Sequence, residues 1–475
     1  MDWLFVGVTA VIAMIALGNW RAALYACVLL DVLRDPARKL TEQQSSITTV
    51  AVGLVWLAAL AGAMNQNRRE LVLLVRRYPQ LRTSLICLVI ALAPGMLVSL
   101  VNYNNGWILA AIGTASYSAP FIGVALGYLW PRRLDDVYRW MKLYTVVNAV
   151  FLVGSLLEVL EWDFPGLGGL KMKWIRNYGA DIINLICGFY RSPDIMGLHA
   201  AHVMMFGGMI AFRPQQRFKW AWWSVVGWAS IALVLCGRRK MIVIPLLFVV
   251  TYIVLFAVFN GRRRLAVSFS LIAGVCLCGT YFVADELVAE NEYARFASTI
   301  ASEGLERASR SFTEIIFTTV NQSGWLGDGL GTVTQGRQYM GVVTQGKDWQ
   351  EDGVGRLFKE LGVPGVIGML ISGALLLATI RSSFFAIPPG HPVSSLQYGF
   401  ASVVAANLAS FSVSHQAYSG DPSTVLIVGF CVGIILGLPR PVWSDLARRQ
   451  QHQVEPKMRG LVVDESTPVL AGGVR

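Results

Sequence analysis

The sequence predicts an all-α fold: a polytopic bundle of transmembrane helices with a large external loop before its last three spans. Three observations predict it. Hydrophobic residues make up 55% of the 475 residues and charged ones 15%, with a mean hydropathy of +0.53, a composition foreign to a water-soluble domain of this size. The apolar residues gather in runs of about 20, the length at which a helix crosses hydrocarbon with its backbone hydrogen bonds satisfied internally. The 40 Lys and Arg sit in short loops between these runs. The net charge of +11 therefore reads as topology and lipid contact, and no nucleic-acid partner is expected.

The elements follow in order. The first run, 3–33, breaks near Gly18-Asn19-Trp20-Arg21. Further runs cover 47–64, 84–101, 107–129, 140–160, 196–212, 219–236, 241–259, 265–283, 357–380, 396–413 and 423–438, about twelve spans in all. Met1-Asp2-Trp3 carries neither a basic region nor a cleavage site, so the first run is expected to be retained. Arg68, Arg69, Arg76, Arg77 and Arg82, then Arg132, Arg133 and Arg139, then Arg213, Arg217 and Lys219, then Arg262 to Arg264, and finally Arg448 and Arg449 share one side if every run crosses once. By the positive-inside rule that side is the cytoplasm. Arg34, Arg38 and Lys39 then fall outside, against the rule, unless the first spans form a shallow or re-entrant pair. Residues 1–438 make up the bundle, including external loops 161–195 and 285–356, and 439–475 read as a disordered cytoplasmic tail. The piece 292–322 has helical spacing of apolar residues. Of the seven cysteines, only Cys187 falls in an external loop, which argues against a disulfide framework.

Chemistry is expected on the outside, where the long loops are. Gly237-Arg238-Arg239-Lys240 joins two apolar runs there, and a phosphate or diphosphate would pair with Arg238 and Arg239 as a bidentate acceptor. The plain alternative is a hairpin whose cations meet lipid headgroups. Ser192-Pro193-Asp194 is a helix start, with Ser as cap and Pro in the first turn. It leads into a span bearing His199 and His202 on one face. These are either hydrogen-bonded core histidines or, with Arg191, the lining of an acceptor groove; no further ligands suggest a metal. Glu351 and Asp352 close the long loop where the next span begins, as proton-transfer carboxylates or as helix-terminus acids. For Glu360 and Lys359, deeper in, an ion pair or helix packing is expected.

Gly237-Arg238-Arg239-Lys240, the long loop, Gly327-Asp328-Gly329-Leu330-Gly331 and Glu360-Leu361-Gly362-Val363-Pro364-Gly365 resemble, in order and spacing, the O-antigen ligase and O-antigen polymerase superfamily of bacterial inner membranes. The resemblance covers about 221–438. It implies transfer of a glycan from a polyprenyl diphosphate to an acceptor glycan at the outer leaflet, without cofactor or metal, and other polysaccharide assembly proteins as partners. By that resemblance Arg238 or Arg239 holds the diphosphate, assisted by Arg310 or Arg307. Where ligases carry a His-Asn pair, this chain has Glu351-Asp352. That departure favours a polymerase, or a ligase-like enzyme of exopolysaccharide assembly, with a carboxylate as base. The rival reading is a transporter or flippase of the same lipid-linked glycan, or a non-catalytic subunit of an assembly complex.

Overall fold

The computed structural model describes residues 2–41, 47–168, 174–178, 181–260, 314–334, 352–388, 390–419 and 421–443. The expected span 265–283, the cations Arg262 to Arg264, and the candidate residues Glu351, Arg307 and Arg310 lie outside the described residues.

The chain is an all-α membrane bundle. Its helices are α1 (Asp2–Gly18), α2 (Trp20–Lys39), α3 (Ile47–Arg77), α4 (Pro79–Asn102), α5 (Gly106–Leu129), α6 (Leu134–Phe151), α7 (Val153–Val159), α8 (Pro193–Ala211), α9 (Lys219–Leu235) and α10 (Arg239–Asn260). After these come α11 (314–323), then α12 (Gly353–Phe385), α13 (Pro392–Val413), α14 (Gln416–Ser419) and α15 (Pro422–Gly437). A short hairpin, β1 (Trp174–Tyr178) with β2 (Asp181–Leu185), decorates the loop before α8. Among the described residues, nine helices are long and apolar enough to cross a membrane.

The first predicted run is two helices divided at Asn19. Asn19 ends α1 and caps α2, its side chain accepting from the Ala22 amide at 3.1 Å. The turn is held by Trp20 Nε1 donating to Asn67 Oδ1 at 3.2 Å, at the kink of α3, and by Arg21 donating to the Leu129 and Trp130 carbonyls. The basic loops gather at this end: Arg213 pairs with Asp135 at 2.8 Å, and Arg440 with Glu70 and the Tyr128 carbonyl. The disordered tail expected from residue 439 does not begin there: α15 ends at Gly437 and a further helical segment follows. Residues 439–443 are helical, and Val442 is buried. Prolines fit there because the first turn of a helical segment needs no N–H from them.

Small residues set the close crossings. Gly123 and Gly127 of α5 lie against Gly429 and Gly433 of α15 so closely that a Cβ on any of them would strike backbone of the other helix. This four-residue spacing lets helices approach where lipid supplies no hydrophobic drive. α4 and α12 are joined by Ser84 and Ser372, whose hydroxyls lie 3.0 Å apart and which donate to each other's carbonyls at 2.8 Å.

Candidate functional site

At the end of the bundle opposite Arg21 and Arg440, the α9–α10 turn meets the start of α8 and the end of α13. Gly237 makes the turn with φ +64°, and a Cβ there would lie 2.6 Å from Leu185. The carboxylate of Asp194, in the first turn of α8, reaches across it: Oδ2 lies 3.3 Å from Arg238 Nε and Oδ1 2.9 Å from Lys240 Nζ. Lys240 also donates to Ser414 Oγ, just past α13, at 2.6 Å. Two cations thus share one acid, and Arg238, held at Nε, keeps a side-chain exposure of 20%. Among the described residues a positive surplus is therefore held at a partly open position, which suits an anion. The Arg239 side chain is not among those described.

The charges of α2, anomalous in the sequence, have partners inside the protein. Arg34 is 1% exposed and pairs with Asp31 at 3.1 Å, Asp35 at 3.6 Å and Asp421 at 2.5 Å, and donates to Ser423 Oγ at 3.0 Å. Burial alone would raise the Asp421 carboxyl, but the Arg34 charge and hydrogen bond hold it below the usual carboxylate range. Lys39 donates to the Gly188 carbonyl at 2.6 Å and lies 3.4 Å from Cys187 Sγ. Burial pushes the Cys187 thiol up to about 11, so it stays protonated and unreactive. The Arg191 amide donates to Asp35 Oδ2 at 3.2 Å. Arg34, neutralised inside the protein, does not act as a free topology determinant.

Ser192 caps α8 as expected, accepting from the Ile195 amide at 3.4 Å. The helix carries both histidines into the core, each 1% exposed. Tyr144 of α6 bridges them, its hydroxyl 2.8 Å from His199 Nδ1 and 3.1 Å from His202 Nδ1. Their shared face packs inward, so they sit as buried hydrogen-bonded groups and not as walls of an open groove. Among the described residues no group of three or more His, Cys, Asp or Glu is arranged to hold a metal ion.

Asp352 caps α12, with Oδ1 accepting from the Gly355 amide at 2.5 Å. The adjoining Gly353 packs against Phe411 in the last turn of α13. Ser414, which holds Lys240, follows that same turn, so the α12 cap and the basic turn both pack at the end of α13.

The glycine segment and Glu360 form a separate, buried joint. Gly327, Gly329 and Gly331 have φ of +73°, +107° and +86°, a region where only glycine is unstrained. They press against Lys359, Ser99 and Leu109 respectively. The Asp328 amide donates to the Lys359 carbonyl at 2.7 Å and the Leu330 amide to Gly95 at 2.8 Å. Glu360, fully buried, accepts from Tyr117 at 2.7 Å, Arg356 at 3.0 Å, the Val333 amide at 3.0 Å and Thr334 at 3.1 Å. Lys359 pairs with Asp328 at 3.5 Å. The ion-pair and packing roles expected for Glu360 and Lys359 match this geometry.

Sequence reasoning missed Asp194, Asp31, Asp421 and Arg356 as organising residues. A signal existed for α2: Asp31, Arg34 and Asp35 recur at helical spacing beside an apolar run, and charges so placed need partners. Nothing local marks Asp421 as the partner of Arg34, or Asp194 as that of Arg238 and Lys240.

No protein-family model matches the chain, and no curated protein matches it. Among solved structures it is similar to a chain from work titled "Structural coordination of polymerization and crosslinking by a peptidoglycan synthase complex". The likeness has 14% identity and a TM-score of 0.41, and covers 75% of this chain and 97% of that one. A likeness at this level carries no argument about activity.

Proposed function

We propose that this multi-pass membrane protein transfers glycan from a polyprenyl-diphosphate-linked oligosaccharide to an acceptor glycan at the outer face of a bacterial inner membrane, as a polysaccharide polymerase or ligase-like enzyme. The observation that carries the reading is the anchored basic turn: Arg238 and Lys240 share the single carboxylate of Asp194 at a partly open end of a membrane bundle. A diphosphate leaving group there meets a guanidinium whose Nε is already fixed. Charge developing on it as the anomeric C–O bond breaks is stabilised by groups that need not reorganise. Asp352 stands at the same end as the candidate base, its Oδ1 holding the helix cap; the acceptor hydroxyl's proton passes to this carboxylate as the new glycosidic bond forms. The neighbouring Glu351 shares this candidacy, and Arg239, Arg307 and Arg310 remain the proposed further diphosphate ligands.

The test separates binding from chemistry. Asp352→Asn is expected to bind the lipid-linked donor as wild type does and to transfer it about 10²- to 10⁴-fold more slowly, the contribution of a general base. Near-normal turnover in both Asp352→Asn and Glu351→Gln removes the carboxylate base from the proposal.

A further inference from the structure

We propose that the line Asp31, His199, Tyr144, His202 holds one exchangeable proton in the core of the bundle, a proton-binding site that stands independently of the glycosyl-transfer reading. Asn407 of α13 sets the first hydrogen position. Its Nδ2 donates to the Val403 carbonyl at 2.8 Å, and since a carbonyl can only accept, the amide orientation is fixed. Oδ1 therefore faces His202 Nε2 at 3.0 Å, and Tyr418 donates to the same oxygen at 3.1 Å. His202 Nε2 must carry a proton to make that bond.

The remaining positions then follow. If His202 is neutral, its Nδ1 is bare and accepts from the Tyr144 hydroxyl at 3.1 Å. Tyr144 has one proton, so its oxygen must accept from His199 Nδ1–H at 2.8 Å. That leaves His199 Nε2 bare, with its lone pair facing Asp31 Oδ2 at 3.9 Å. Two acceptors confront one another in a site where Asp31 is 3% and His199 1% exposed. One added proton resolves the conflict. On Asp31 it turns the carboxylate into a neutral acid facing His199 Nε2, and on His199 Nε2 it makes an imidazolium paired with that carboxylate at 3.9 Å; carried by His202 it reverses the Tyr144 bond and again leaves an N–H on His199 facing Asp31. Between His202 and His199 the proton can pass through the Tyr144 hydroxyl by turning hydrogen bonds.

The surrounding charges favour the added proton. Arg34 is divided among Asp31, Asp35 and Asp421, so no full positive charge is left for Asp31. Asp31 Oδ1 stands 3.1 Å from Arg34 Nη2 and the Ser423 hydroxyl lies beside the carboxylate, while Asp35 and Asp421 add like charge around it. Of the other groups facing the pair, Tyr190 stacks on His199 with ring centroids 5.1 Å apart, Ser423 accepts from Arg34, and Arg191 lies within electrostatic reach of Asp35 and Asp421. Arg38 sits farther out and partly exposed, while Lys39 is turned to the Gly188 carbonyl.

The experiment is pH-difference infrared spectroscopy of the full chain in lipid nanodiscs over about pH 4–9, which spans the ordinary carboxyl and imidazole ranges. Wild type is expected to show a titrating band of a carboxylic acid or an imidazolium. Asp31→Asn is expected to lose it, because the new amide donates to His199 Nε2 without an added proton. His199→Gln, whose amide donates to Asp31, is expected to lose it as well and serves if the first variant fails to fold. The absence of a titrating band in wild type, or its survival in either folded variant, overturns the proposal.

Discussion

Arg238 and Arg34 show how the same side chain serves two ends. Arg238 is held by one carboxylate at Nε and remains partly open; Arg34 is enclosed by three carboxylates and is 1% exposed. Replacing Arg238 with Ala is expected to lower transfer by roughly 10- to 100-fold with protein abundance unchanged, the loss of a charge-assisted hydrogen bond at about 1.5–3 kcal/mol. Lys at 238 is expected to restore it only in part, because it lacks the planar fork. Activity at wild-type level in Arg238→Ala counts against diphosphate binding there. Arg34→Met, by contrast, leaves buried acids unpaired, and breaking such a pair costs about 3–5 kcal/mol. It is expected to lower the thermal midpoint sharply, and Arg34→Met with Asp421→Leu to recover part of that loss. A midpoint indifferent to Arg34→Met contradicts the buried ion cluster.

Between helices, glycine spacing decides how close the elements come. Gly429 and Gly433 of α15 meet Pro120 and Val124 of α5 backbone to backbone, so Gly433→Leu is expected to separate the pair and reduce folded yield. Gly373, where an added Cβ would meet nothing within 4 Å, tolerates Ala. Equal thermal stability of Gly433→Leu and Gly373→Ala in the same detergent contradicts this packing. Gly329 is restricted doubly, by φ of +107° and by Ser99 at 2.5 Å, so its place in the glycine segment is accounted for by packing alone.

Across the whole molecule, the bundle alternates its helices between a basic end and an end that gathers the charged pairs of α2, α8, α10 and α15. A cysteine introduced at Gly166, which has open space around it, is expected to react with an impermeant reagent applied outside the cell, and one at the exposed Gln215 to be protected. The reverse pattern inverts the orientation and returns Arg238 to an ordinary cytoplasmic turn. Much of this architecture was legible in the sequence, because run length and hydropathy are local properties. The break at Asn19 and the Ser192 cap were legible for the same reason, since capping is decided within a few residues. The partnership of Arg34 with Asp421 was not, as 387 residues separate them and only the packing of α2 against the start of α15 brings them together. Asp194 was read as a helix-start acid; its grip on Arg238 and Lys240 depends on where the α9–α10 turn lands. The burial of His199 and His202 likewise depends on which face of α8 the bundle covers, a tertiary choice that helical spacing leaves open.

Glycosyl transfer at the basic turn is tested by an assay with the purified full chain in proteoliposomes and a defined polyprenyl-diphosphate oligosaccharide, with products resolved by mass. Wild type is expected to yield covalently extended glycan, and Arg238→Ala to do so at a rate lower by about one to two orders of magnitude, matching the lost charge-assisted bond. Movement of the intact donor across the bilayer with no new glycosidic bond would contradict the transferase reading.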